Sequence, residues 1–307
     1  MKRHSVNLRR EFAFNPARFL ATAMPRPAIV PRPEDTGPAL VETPARAPAD
    51  ARPHALTGEL RKLGLDGMAL ALDRLRGGRA RGQPRFEEWL SALVAGETAA
   101  RHHKRVASRL RAAGLRYHAP LADVDYNAQR GFDDALFHLL AAGQWIDDNE
   151  NAIIDGPAGV GKTWLACALG EKACGDDRSV RYERVPRLSA ELDAARGTAQ
   201  YARRMRALQH VKLLILDDWG VEPFTDAQRH DLLEIVDARY GRGSTLIASP
   251  VAVEHWARVI GDPTVASEIL DRLVHNARRL QLRGESLRDP QRVGAGSGPL
   301  AHGDAAA

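Results

Sequence analysis

Cysteine is nearly absent: Cys167 and Cys174 are the only two in 307 residues. Two thiols without a partner cluster exclude a disulfide framework and a cysteine-ligated metal site, and they suit buried thiols in a reducing compartment. Long apolar runs are missing too, since none approaches the roughly 18–20 residues that span a bilayer. The apolar patch near the start, Phe19-Leu20-Ala21-Thr22-Ala23-Met24, is short and closely flanked by Arg18 and Arg26. It makes a poor secretory signal, so a cytoplasmic protein with no membrane partner is expected. Acidic charge does not dominate either. Lys and Arg number 44 against 39 Asp and Glu, giving +5 and a pI near 9.5. That balance permits nucleic-acid binding without requiring it.

What is present begins with Gly156-Pro157-Ala158-Gly159-Val160-Gly161-Lys162-Thr163. It fits G-x-x-x-x-G-K-[ST], the loop that cradles the phosphates of a nucleoside triphosphate. Backbone N–H groups must curl around phosphate oxygens, and glycines keep side chains out of the way. Lys162 then reaches the outer phosphates, Thr163 offers its hydroxyl to Mg²⁺, and the helix start adds partial positive charge. Asn151-Ala152-Ile153-Ile154-Asp155 reads as a buried strand before the loop, and Thr163 to Ala173 reads as a helix after it. A glycine-rich turn with no ligand is the bland alternative, and the strand and helix on either side weigh against it.

The chain suggests about two domains plus tails. Residues 1–54 are rich in Pro, Ala and Arg, with eight prolines from Pro25 to Pro53. They read as a disordered extension. Residues 55–118 read as a small all-α domain. Leu60, Leu63, Met68, Leu72 and Leu75 suit one or two helices, and Phe86, Trp89, Leu90, Leu93 and Val94 form a helical stripe. From Leu56 to His118 there are 13 Lys and Arg and 6 Asp and Glu, and 13 − 6 gives +7. Most charge runs are solvated helix faces, but this concentration favours contact with the phosphate backbone of double-stranded DNA, with Lys104, Arg105 and Arg109 in the most basic stretch.

Residues 119–290 read as an α/β nucleotide-binding domain and 291–307 as a disordered tail. Within the domain, Val180–Val185 alternates as a strand. Val211-Lys212-Leu213-Leu214-Ile215-Leu216-Asp217-Asp218 reads as a central parallel strand ending in two acids. Ligands of parallel sheets bind at the carboxyl ends of strands, so these acids are expected beside the phosphate loop. Asp217 would hold Mg²⁺ and Asp218 would orient or deprotonate an attacking water. Ala227–Tyr240 is expected to be helical, Ser244–Ser249 a further strand, and 252–260 and 264–274 helices.

With these pieces in place the chain resembles the IstB-like ATPases, ATP-dependent helper subunits of an insertion-sequence transposase within the AAA+ group, close to the DnaC helicase loader. The resemblance rests on Gly156–Thr163, Leu213–Phe224, Ile260-Gly-Asp-Pro-Thr264, Ile269–Ala277 and Gly284-Glu-Ser-Leu-Arg288. It runs from about Leu56 to Arg288. It implies an AAA+ three-layer sandwich with a parallel central sheet, and ATP with Mg²⁺ as cofactors. It also implies a homo-oligomer with ATP at subunit interfaces, and DNA and a transposase as partners. By position, Ser249 falls at the residue that senses the γ-phosphate, and Arg272 at the arginine that reaches a neighbouring subunit's nucleotide. Ala248-Ser249-Pro250 departs from the Thr-Ser-Gln-like run usual there, and Trp164 replaces a smaller or imidazole residue. A DnaC-like helicase loader and an adaptor that holds ATP without hydrolysing it remain the alternatives.

Overall fold

The computed structural model describes residues 52–77, 85–126 and 131–287. The expected extension at 1–54, save its last three residues, and the tail at 291–307 lie outside the described residues. Three helices come first: α1 (Arg52–Lys62), α2 (Asp66–Gly77) and α3 (Phe86–Ala113). After a 3₁₀ turn at Leu121–Asp123 come α4 (Asp134–Ala142) and α5 (Gln144–Asp147). Strands then alternate with helices: β1 (Asn151–Asp155), α6 (Lys162–Gly175), β2 (Val180–Arg184), α7 (Val185–Ala195), α8 (Ala199–His210), β3 (Leu213–Asp217) and α9 (Asp226–Arg239). The chain closes with β4 (Ser244–Ser249), α10 (Trp256–Ile260), α11 (Pro263–Val274) and β5 (Ala277–Gln281).

All strand pairs are parallel, in the order β2-β3-β4-β1-β5. Successive strand side chains point to opposite faces, and the core divides accordingly. Ala152, Ile154, Leu213, Ile215, Leu246 and Ala248 join the cluster under α4, α5 and α6. Ile153, Leu214, Leu216 and Ile247 join the cluster under α7–α11. Central strands buried on both faces read as near-continuous apolar runs, which is why β1, β3 and β4 are plain in the sequence. Helices on both faces of the parallel sheet make the expected three-layer sandwich.

The helical region shares this core. The last turn of α3 buries Ala113 against the α6 side of the sheet, with Leu110 and Leu115 packed on it. Arg109 pairs with Asp177 at 2.5 Å, and Arg181 Nη1 donates to the Ala112 carbonyl at 3.3 Å. Contacts thus continue across the boundary expected at His118. The Phe86-Trp89-Leu90-Leu93-Val94 stripe is helical; Phe86, Leu90 and Val94 turn outward, with exposures of 79%, 48% and 47%, while Trp89 and Leu93 are half-buried. α3 meets α2 instead along Gly96 and Glu97, where small residues let the backbones approach. Glu97 completes that contact, accepting from the Met68 N–H at 3.1 Å near the start of α2, where a carboxylate offsets the helix dipole.

Among the described residues no helix is long and apolar enough to cross a membrane.

Candidate nucleotide-binding site

The phosphate loop joins β1 to α6, and its backbone explains its glycines. Gly156, Gly159 and Gly161 have φ of 149°, 87° and 96°, conformations that side-chain-bearing residues rarely adopt. Neighbouring chain also crowds them. A Cβ on Gly156 would overlap the Leu282 carbonyl, and one on Gly159 the Ser286 hydroxyl. The segment after β5 lies along the loop, with Leu282 N donating to Asp155 O at 2.7 Å and Leu287 N to Gly159 O at 3.0 Å. Pro157 and Ala158 form the exposed crest, while Val160 is fully buried as its anchor.

Lys162 opens α6, and its ammonium donates to the carbonyls of Gly156 at 2.8 Å and Pro157 at 2.6 Å. Beside it lies a cavity of about 480 Å³, lined by Gly159, Lys162, Thr163, Trp164, Asp218 and Leu287 among others. The structure thus brings the loop, Thr163 and Asp218 to one cleft. A glycine cradle open to N–H donors, a lysine and a helix N-terminus together fit a triphosphate. Thr163 lines the cleft and Asp217 lies buried at the end of β3. A hydroxyl and a carboxylate are the donor types that would hold Mg²⁺, which takes one or two carboxylates and completes its shell with phosphate and water. Among the described residues no group of three or more acidic, His or Cys side chains is poised to hold a metal alone.

Asp217 ends β3 at 1% exposure, and its Oδ2 accepts the Tyr182 hydroxyl at 2.6 Å. Asp218 follows in the left-handed region, φ 56°, where the chain turns sharply off the strand. Its carboxylate pairs with Arg184 Nε at 2.7 Å. Arg184 stands opposite Asp217 in the β2–β3 register, so strand pairing places it there. Neither Tyr182 nor Arg184 is legible as a site residue from sequence. The only available signal is that β2 must end level with β3 if the two pair.

Ser249 ends β4 beside Asp155. Its side chain is fully buried. It lies 2.8 Å from the carbonyls of both Trp219 and Val251 and accepts from Val251 N at 3.0 Å. The following Pro250 turns the chain and itself lines the cavity. Ser249 therefore ties the two post-strand turns together in this structure.

A family model described as IstB-like ATP binding protein matches residues 58–295 of the chain. The chain belongs to the IstB-like ATP-binding proteins. It is 54% identical over 239 residues to the insertion sequence ATP-binding protein y4pL of Sinorhizobium fredii, covering 78% of this chain and 98% of that one. It is 31% identical over 243 residues to the insertion sequence IS21 ATP-binding protein of Pseudomonas aeruginosa, covering 79% and 92%. Among solved structures, DnaI aligns with TM-score 0.47 and 23% identity over 55% of this chain and 92% of that one. The DnaC helicase loader aligns with TM-score 0.44 and 20% identity over 57% and 99%.

In this IstB-like chain Arg272 stands apart from the phosphate loop. It lies in the last turn of α11, whose Arg272 and Leu273 carbonyls accept from Asn151 Nδ2 at 2.9 and 3.2 Å. Asn151 opens β1 while the loop follows Asp155, so a strand length of roughly 16 Å separates them at about 3.3 Å per residue. Arg272 Nε donates to Asp237 at 2.8 Å and Nη1 to the Glu268 carbonyl at 3.0 Å. It lines a groove of about 720 Å³ with Asp237, Glu234, Glu268 and Asp231.

Proposed function

We propose that this IstB-like protein is a cytoplasmic Mg²⁺-dependent ATPase that assembles on double-stranded DNA with ATP and regulates a partner transposase. The observation that carries the enzyme reading is Asp218 on the wall of the same cleft as Lys162 and Thr163. Binding ATP needs no such acid, whereas hydrolysis needs a group to orient or deprotonate water. The transposition reading is supported by the relatives, which are named as insertion sequence ATP-binding proteins.

In this reading the N–H groups from Gly156 to Gly161 hold the phosphates and Lys162 leaves its own loop's carbonyls to pair with their outer oxygens. Thr163 and Asp217 hold Mg²⁺, which when bound neutralises phosphate charge. Asp218 aligns the water. Arg272 lies too far along β1 to serve its own loop, and it fits a cation supplied to the nucleotide of a neighbouring copy. A cation arriving only on assembly ties turnover to the oligomer.

One observation favours the non-hydrolysing adaptor: Asp218 is already engaged by Arg184. ATP turnover with and without duplex DNA, in wild type and Asp218→Asn, separates the readings. The enzyme reading expects measurable wild-type turnover and a loss of about 10²-fold or more in the variant. Equal, negligible rates in both proteins, with ATP still driving DNA binding, would establish the adaptor.

A further inference from the structure

The Asp217 carboxylate sits in a built environment that the nucleotide reading leaves unused. Tyr182, on β2, points from the strand beside β3 and is 7% exposed, and its hydroxyl donates to Asp217 Oδ2 at 2.6 Å. The Arg116 guanidinium, just beyond the end of α3, interacts electrostatically with both Tyr182 and Asp217. Arg116 also sits over the Tyr117 ring, 5.4 Å from its centroid, and Tyr117 lines the cleft. From α6, Cys167 is buried in the same core cluster as Tyr182. The phenol hydroxyl is the donor of this bond and the carboxylate, which has no proton to give, its acceptor. A buried carboxylate with a single fixed donor has one oxygen occupied and a restricted rotation about its last bond.

We propose that Tyr182, supported by Arg116, is a positioning residue for the metal-side acid, occupying Asp217 Oδ2 so that Oδ1 remains for the cation beside the phosphate loop. The inference rests on the reading of Asp217 as that acid. Pre-setting one oxygen removes the orientational cost of ordering the carboxylate when the cation enters, so its loss weakens the cation-dependent part of nucleotide binding alone. A tyrosine that only fills space in the core would affect binding with and without the cation equally.

The test uses the full-length protein, a fluorescent ATP analogue and MgCl₂ titrated from an EDTA-treated baseline. Tyr182→Phe keeps the ring and removes the hydroxyl. The expected result is a rise of about five- to tenfold in the Mg²⁺ concentration at half-maximal binding, the scale of one ordinary lost hydrogen bond. Affinity in EDTA stays at the wild-type value. Arg116→Gln shifts the midpoint in the same direction by a smaller factor, and it carries the test by itself if Tyr182→Phe does not give a cooperative thermal transition. Asp217→Asn serves as the reference. If it moves the Mg²⁺ midpoint while the Tyr182 and Arg116 variants stay within twofold of wild type, the positioning role is wrong and Asp217 keeps its own. If Asp217→Asn leaves the midpoint in place, the metal-side reading of Asp217 fails, and the positioning role fails with it. An equal loss of affinity in EDTA and in Mg²⁺ for Tyr182→Phe makes Tyr182 a structural residue and overturns the proposal.

Discussion

Arg239 is 1% exposed at the end of α9, and burial pushes its guanidinium down to about 10. It is held in place by backbone oxygens. The guanidinium donates to the carbonyls of Leu208 at 2.8 Å and Val211 at 2.7 Å, to that of Ser244, and to the Thr245 hydroxyl at 3.1 Å. It thereby joins the end of α8, the entry to β3 and the start of β4. Arg239→Met retains the stem and removes every donor, leaving buried carbonyls unsatisfied at about 1–3 kcal/mol each. Denaturant unfolding of the nucleotide-free protein is expected to show a loss of about 3 kcal/mol or more. A loss below about 1 kcal/mol would mean the carbonyls find other donors. Nothing in the sequence separates Arg239 from the chain's many other arginines, because its partners come from two stretches that only the fold brings together, 208–211 and 244–245. Tyr182 and Arg184 were hidden for the same reason. The phosphate loop is the opposite case: its glycines, Lys162 and Thr163 lie within eight consecutive residues, and the motif is set by local backbone geometry.

At the scale of elements, local period identified the buried strands and most helices, but not which way α3 faces. Phe86, Trp89, Leu90, Leu93 and Val94 repeat as a core stripe does, and the structure leaves Phe86, Leu90 and Val94 outward with Trp89 and Leu93 half-buried. The contact with α2 is made where side chains are smallest. A Cβ on Gly67 would come within 2.6 Å of Glu97 Cα and 2.7 Å of Ala100 Cβ, and one on Gly96 within 2.7 Å of Ala71 Cβ. Gly67→Ala is therefore expected to force the two helices apart at a cost of about 1–3 kcal/mol. Gly77→Ala, with nothing near its added methyl, is the matched control. Hydrogen exchange should show α2 and the first half of α3 losing protection in Gly67→Ala while α6 keeps it. Equal protection in both variants would show that the helices can slide without loss. β5 escaped notice because Ala277-Arg-Arg-Leu-Gln281 lacks an apolar run. Among the described residues it is an edge strand paired to β1 alone, and edges tolerate charge. Its arginines instead bind Glu150 at 2.7 Å and Asp155 at 2.8 Å.

At the scale of the whole molecule, the excess of positive charge in the helical region is the feature that DNA binding would use, and the structure changes how it must be counted. Lys104 pairs with Asp66 at 2.7 Å, while Arg105 and Arg109 lie 3.8 and 2.5 Å from one carboxylate, Asp177. Three cations therefore face two acids, and the local surplus is smaller than the sequence sum implies. These pairs do not bar contact with DNA. Lys104 and Arg105 keep side-chain exposures of 67% and 51%, and pairs so exposed are worth about 0–1 kcal/mol. A phosphate can replace such a carboxylate at little cost. If this face meets the duplex, converting Lys104, Arg105 and Arg109 together to Gln should flatten the slope of log affinity against log salt by up to about 2.7, at about 0.9 per phosphate neutralised. The acids supply the sharper half of the test. Asp66→Asn and Asp177→Asn free the same cations and should tighten duplex binding at low salt, with the gain fading as salt rises. A slope unchanged by the triple substitution, with no gain from either Asn variant, would move the DNA contact off this face. Because Arg109 and Asp177 also join α3 to the turn after α6, thermal midpoints measured alongside will separate lost DNA contact from a loosened arm.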